Sequence, residues 1–441
     1  MELPVDADRL RADIEANAAF GAIEFDDPAK RGRTNRTGSE ANRRARDRLT
    51  ERLEAAGLSV RVDAVGNVVG EWVPAEADPD AAPVACGSHL DSVPEGGIFD
   101  GPLGVYAALE SVRAMQDAGV EPARPVVVVC FTEEEGATYG TGLLGSSVAI
   151  GETSVEEALA FENDDGETLG AALDEIGYRG DATVDPSGWE GFYELHIEQD
   201  TTLEDAGADV GVVTTITGIT HGEATIVGEA NHAGATAMDE RADALAAASQ
   251  FVLDVEAAAA SVVESDSPTA VGTVGSLEVA PGASNVVPGR VEASLDVRDV
   301  TAESMETIVA AARDALDRIE RDRGVDTTFV QPASVDPVPM SERLRTTAHE
   351  AATDADVTAI DLHSGAAHDA MRVARVTDAS LLFAPSRDGI SHNPREWTDW
   401  DDCAVATQVL AGGLARAAGV DAGECGHRRG ETSSQGSNST V

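Results

Sequence analysis

Val84-Ala85-Cys86-Gly87-Ser88-His89-Leu90-Asp91 and Val126-Val127-Val128-Val129-Cys130-Phe131-Thr132-Glu133-Glu134-Glu135-Gly136 decide the fold. Each begins as an unbroken apolar run, the pattern of a strand covered on both faces, and each turns polar at its carboxyl end. Between them, residues 103–118 repeat apolar positions at helical spacing and stop at Gly119. Strand, helix and strand in this order predict an α/β domain with a mostly parallel central sheet. Open sheets of that kind place their sites beyond the strand carboxyl ends, where His89 and Glu133 to Glu135 fall.

Working outward, residues 40–56 read as an amphipathic helix stopped by Gly57, and residues 60–73 as two strands turning at Gly66-Asn67. From residue 212 the rhythm changes. Two strands flank 218–222, followed by a helix over 239–260, strands at 270–279 and 290–297, a helix over 302–321 and a strand at 327–330. This order is close to a split β-α-β, ferredoxin-like α+β sandwich. Strands at 358–362 and 379–383 and a helix over 402–418 then resume the α/β pattern. A chain of 441 residues is long for one core, so the expected division is a catalytic domain in two parts, 1–211 and 329–420, around an inserted domain at 212–328. Residues 421–441 lack a packing pattern and are expected to be a disordered tail.

Lysine and arginine number 31 against 80 aspartates and glutamates, a formal net charge of -49, and Lys30 is the only lysine. Such a surface repels phosphate backbones and anionic lipid, which argues against nucleic-acid and membrane partners. The acids are spread through segments that read as folded, as in proteins of halophiles, where concentrated salt screens self-repulsion; a salt-loaded cytoplasm is the expected setting. Cys86, Cys130, Cys403 and Cys425 lie too far apart for a zinc knuckle, and the first three are expected to be reduced core residues. The start, Met1-Glu2-Leu3-Pro4-Val5-Asp6, lacks a basic and apolar leader, and no run reads as long enough to span a membrane. A soluble, unexported protein is expected.

Metal-binding residue types recur in Ser88-His89-Leu90-Asp91, Phe99-Asp100-Gly101, Glu133-Glu134-Glu135-Gly136, Glu194-Leu195-His196-Ile197-Glu198-Gln199 and Ser391-His392-Asn393. Singly each is weak, because a lone histidine is more often structural. Together they offer three histidines, a carboxylate able to bridge and a further carboxylate. That is what two adjacent divalent ions need, with room for a water between them.

The order and wording of these motifs resemble the carbamoylase branch of the zinc aminoacylase and carboxypeptidase clan: N-carbamoyl-L-amino-acid hydrolases, allantoate amidohydrolases and β-ureidopropionases. The resemblance covers residues 35–418 and rests on Gly87-Ser88-His89-Leu90-Asp91-Ser92-Val93, Glu134-Glu135-Gly136, His196-Ile197-Glu198-Gln199, Asn231-His232-Ala233-Gly234-Ala235-Thr236, residues 285–298, Ser364-Gly365-Ala366-Ala367-His368-Asp369-Ala370 and Pro385-Ser386 through Ser391-His392. It implies one ion held by His89, Asp100 and His196 and a second by Asp100, Glu135 and His392. Zinc is the first choice for these two ions per subunit, with manganese, cobalt and nickel also suited to the ligand set. By the same resemblance Asp91 orients His89, and Glu134 is the general base. His232 of the inserted domain donates to the oxyanion across a dimer interface, and Arg298 clamps the substrate carboxylate. Gln199, Asn285, the backbone at Gly365 and Ala366, and His368 add polar contacts.

The implied activity is hydrolysis of the ureido C–N bond of an N-carbamoyl amino acid or related ureido acid. A metal-activated water attacks the ureido carbonyl, and the products are the amine, carbon dioxide and ammonia. The implied assembly is a homodimer whose inserted domain serves as lid and dimer contact. An allantoate amidohydrolase is an alternative on the same residues. An aminoacylase or peptidase of the clan is a second, which His196 argues against because those enzymes tend to carry a carboxylate there. A silent scaffold would tolerate loss of Glu134 or a ligand, and all are present. Asp200, Thr138, Ala237 and Ala367 depart from the branch's usual glycine, arginine, proline and glycine, and Thr138 and Ala367 bear on the substrate.

The charge generates the first expectation. Far-UV circular dichroism should show the fold weakening as potassium chloride is diluted from molar to about physiological strength, where screening extends only from a Debye length of about 8 Å. Equal stability at both salt concentrations would contradict it.

Overall fold

The computed structural model describes residues 3–420, and the tail expected over 421–441, with Cys425, lies outside them. The described residues divide into two compact units, one of residues 3–214, Met340–Leu362 and 368–420, the other of Thr215–Pro339 and His363–Ala367.

In the first unit the strands lie in the order Ser59–Val62, Val68–Trp72, Val126–Phe131, Val84–His89, Gly191–Ile197, Ala379–Ala384 and Val210–Ile216, with Ala359–Ser364 beside the last. The central four run parallel, and pairing turns antiparallel toward both edges. Every residue of those four strands is buried, which is why they read as continuous apolar runs. Helix Pro102–Ala118, ended by Gly119 in the left-handed region, packs on Val84–His89 and Gly191–Ile197 and against helix Trp400–Ala417. Parallel register aligns the strand ends: His89 pairs with Phe131, and His196 with Phe383. His89, the Glu133 turn, His196 and the segment after Ala384 are thereby delivered to one end of the sheet. Cys86, Cys130 and Cys403 are buried and reduced.

The second unit is a four-stranded antiparallel sheet in the order Asp326–Val335, Gly218–Val227, Arg290–Asp299 and Val271–Ala280, covered by helices Ala244–Ser265 and Ala302–Arg323. Four expectations need correction. Residues 218–222 do not form a gap between strands: the chain breaks only at Thr217, and Gly222 lies within the strand because the Phe329 ring occupies the space of a side chain, 2.6 Å from where a Cβ would stand. The helix expected over 239–260 begins at Ala244, since the Asp243 carboxylate caps the amides of Leu245 and Ala246, each at 3.0 Å, and it runs on to Ser265. At 22 residues it is also long and apolar enough to cross a membrane by length and composition, contrary to the expectation that no run is. Its apolarity has a local use: Ala244, Ala247, Phe251, Val255 and Val262 are buried in this unit's core. Finally, the strand expected to stop at 330 continues to Val335, so this unit reaches past residue 328 to Pro339.

Candidate active site

Asp100 sits just before helix Pro102–Ala118 and is 4% exposed. Its two oxygens face two different groups. Oδ1 lies 3.1 Å from His196 Nε2 and 3.4 Å from His89 Nε2, whereas Oδ2 lies 3.5 Å from His392 Nε2. His392 Nε2 is in turn 3.1 Å from Glu135 Oε2. Two ligand atoms bound tetrahedrally to one zinc-sized ion at about 2.0–2.1 Å stand about 3.3 Å apart. The separations of 3.1–3.5 Å are those of ligands arranged around a shared ion, and the two at 3.1 Å are short enough for hydrogen bonds as well. His89–Asp100–His196 and Asp100–Glu135–His392 are the two groups among the described residues able to hold a metal.

The imidazoles are aimed by the backbone. His89 Nδ1 lies 3.2 Å from the carbonyl of Asp91 and His196 Nδ1 3.0 Å from that of Ile197. A carbonyl only accepts, so each Nδ1 carries a proton, and in the neutral ring Nε2 is the nitrogen left with a lone pair, facing Asp100. His89 Nε2 is buried with no hydrogen-bond partner among the described residues, as a ligand nitrogen would be. This corrects the expected role of Asp91. Its main-chain carbonyl orients His89, while its carboxylate stands 3.8 Å from the ring and accepts the Glu135 N–H at 3.1 Å.

Glu134 belongs to neither group, yet its Oε2 lies 3.6 Å from His89 Nε2. Burial raises its pKa well above the usual carboxylate range, with His89 opposing and Glu135, Asp369 and Asp100 adding to the rise. The hydrogen bond with Glu135 carries His392 up to about 9 against the effect of burial. Burial and the neighbouring His196 hold His368 well below the usual histidine range, and its ring stands edge-on to His196 with centroids 4.6 Å apart.

Residues 85–416 match peptidase family M20/M25/M40. The chain belongs to that family. It is 40% identical over 375 residues to an N-carbamoyl-L-amino acid amidohydrolase of Geobacillus stearothermophilus, covering 83% of this chain and 89% of that one. To an allantoate amidohydrolase of Bacillus subtilis it is 33% identical over 369 residues, covering 81% and 86%. A crystal structure of an amidase of the hydantoinase/carbamoylase family from Burkholderia multivorans superposes with a TM-score of 0.87 at 35% identity, covering 94% and 98%.

In this member of family M20/M25/M40 the remaining expected residues divide between the units. Gln199, expected at the substrate, donates from Nε2 to Asp100 Oδ2 at 3.3 Å and Ser391 Oγ at 3.1 Å, and its buried Oε1 has no hydrogen-bond partner among the described residues. His232, Asn285, Arg298, Gly365 and Ala366 belong to the second unit. There Asn231–His232 pairs with Val286–Val287, and the Asn285 carbonyl accepts the Ala233 N–H at 2.9 Å. Arg298 presents its Nε and Nη2 edge to Asp296, at 2.9 and 3.2 Å, and donates from Nη1 to the Gly365 carbonyl at 2.9 Å. Three supporting residues had no assigned role. Buried Glu194 accepts from Ser88 Oγ and the Ala370 N–H, both at 2.8 Å; it lies two residues before His196 on the same strand face, a usable sequence signal. Ser391, beside His392, carried a similar signal. Glu396 carried none.

Gly101 has φ of 80° and a Cβ there would stand 2.5 Å from the His89 ring. Gly101→Ala should therefore displace His89 and weaken divalent-ion binding by about 10–100-fold, the usual effect of disturbing support around a ligand. Calorimetric titration measures this; wild-type affinity would show that the ring is not held here.

Proposed function

We propose that this protein is a metal-dependent amidohydrolase that cleaves the ureido C–N bond of an N-carbamoyl amino acid or a related ureido acid. The observation that carries the reading is Asp100 offering one oxygen to each of two ligand groups, with Glu134 unassigned beside them. Its relatives, an N-carbamoyl-L-amino acid amidohydrolase and an allantoate amidohydrolase, support the substrate class.

His89, Asp100 and His196 would hold one divalent ion, and Asp100, Glu135 and His392 the other. The chemistry such ions would supply there is an acidified water and a polarised carbonyl. Glu134 takes the proton from the attacking water and returns it to the leaving nitrogen, work for which it must stay off the ions. In the second unit the Gly234 N–H donates to His232 Nδ1 at 3.0 Å. The neutral ring then carries its proton on Nε2, the donor a developing oxyanion needs. Arg298 confers preference for a substrate carboxylate, which has to compete with Asp296 for the guanidinium fork. Asn285, Gly365, Ala366 and His368 serve as polar substrate contacts. The same assignment takes zinc as the resident metal and a homodimer in the cytoplasm as the working form; light scattering in molar salt that gives a monomer mass would reject the dimer.

Allantoate is a second substrate reading, favoured by the Bacillus subtilis relative. Ammonia release from N-carbamoyl amino acids, allantoate, N-acetyl amino acids and dipeptides, assayed side by side in molar salt, should be confined to the ureido acids. Equal or greater cleavage of acetyl or peptide substrates would overturn the reading. Glu134→Gln should keep its metal and lose turnover by about 10²–10⁴-fold. Full activity, or loss of the metal, would reject its role as the base.

A further inference from the structure

Glu396 is fully buried and lies 296 residues along the chain from Asp100, the residue whose amide it receives. Its Oε1 accepts two consecutive backbone N–H groups, Phe99 at 2.9 Å and Asp100 at 3.1 Å. Its Oε2 lies 3.4 Å from Ser391 Oγ, and that hydroxyl donates to Asp100 Oδ2 at 2.8 Å while accepting from Gln199 Nε2. The Glu396 amide donates to the Asn393 carbonyl at 3.0 Å, closing the turn on which His392 adopts the left-handed φ of 54°. Gly97 makes the approach possible, since a Cβ there would stand 2.1 Å from the Glu396 carboxylate. Phe99 is clasped by Trp397 and Trp400, with centroids 5.4 and 5.0 Å away, so the segments carrying the two carboxylates are packed as well as hydrogen-bonded.

From this we propose that Glu396 is a positioning residue. It holds the Asp100 segment and the His392 turn in register, and with that turn Ser391, whose hydroxyl aims the Asp100 oxygen that faces His392. The inference rests on the reading of Asp100 as a shared ligand. A buried carboxylate used only to brace the fold would satisfy the amides of Phe99 and Asp100. Ser391 sits on the turn that Glu396 closes and spends its one hydrogen on Asp100 Oδ2, a contact that concerns the aim of that side chain.

The test strips the protein with a chelator and titrates manganese(II) calorimetrically in molar potassium chloride, comparing wild type with Glu396→Gln, Ser391→Ala and, as a control, Glu110→Gln. Glu110 is an equally buried carboxylate that pairs with Arg9 away from the ligand groups. Metal-free melting curves and the electron paramagnetic resonance spectrum of the loaded proteins complete the set. Glu396→Gln keeps an oxygen for the two amides but turns an NH₂ toward Ser391. It should bind manganese about 10–100-fold more weakly, as outer partners of metal ligands do when changed, and lose the exchange coupling between two ions. Ser391→Ala should shift binding in the same direction and decides the matter if Glu396→Gln does not fold. Glu110→Gln should melt earlier yet bind as wild type does. Wild-type affinity and a coupled spectrum in both site variants would overturn the proposal alone. A wild-type protein that takes up no manganese would overturn the reading of the ligand groups, and this inference with it.

Discussion

The two oxygens of Asp100 point at two different groups of candidate metal ligands, and much of the first unit serves that geometry. The carboxylate leaves the chain at the start of a helix, where Gly101 gives the backbone a conformation that lets the His89 ring pass. Parallel strands bring His89 and His196 to the same edge, and backbone carbonyls fix their ring tautomers. An antiparallel sheet would alternate strand ends and scatter these residues over opposite edges.

Charge points the same way. Asp91, Asp100, Glu133, Glu194, Asp369 and Glu396 are all buried in the first unit, and Glu134 and Glu135 stand among them. Burial pushes Asp369 up to about 8, Glu133 to about 7 and Glu396 to about 7. Concentrating carboxylates away from water is costly unless positive charge is supplied. Arg33 is buried nearby, but its Nη atoms have no hydrogen-bond partner among the described residues. Two divalent cations would add to the compensation that His89, His196 and Arg33 give Asp100 and its neighbours.

What was legible in the sequence follows from what the sequence encodes locally. Continuous apolar runs marked Val84–His89 and Val126–Phe131 as covered strands; residue types marked the metal-binding stretches, and the resemblance picked from them His89, Asp100, Glu135, His196 and His392, which fold into two groups. The misread parts depended on partners distant along the chain. The Gly222 strand reads as a turn until Phe329 is placed over it, and the start of helix Ala244–Ser265 depends on which acid caps it. The orientation of His89 by a main-chain carbonyl leaves no trace in residue type, so the Asp91 side chain drew the role instead. Gln199 and Glu396 show the same limit: their use is set by Ser391 and Asp100, brought close only by the fold.

The central claim is that two ions share Asp100. Anomalous diffraction from crystals grown with zinc, recorded on both sides of the zinc edge, tests it most directly. Two peaks should flank Asp100, one about 2.0–2.2 Å from His89, His196 and one carboxylate oxygen, the other at the same range from Glu135, His392 and the second oxygen. A single peak, or peaks coordinated by Asp91 or Glu134 in place of these ligands, would contradict the account.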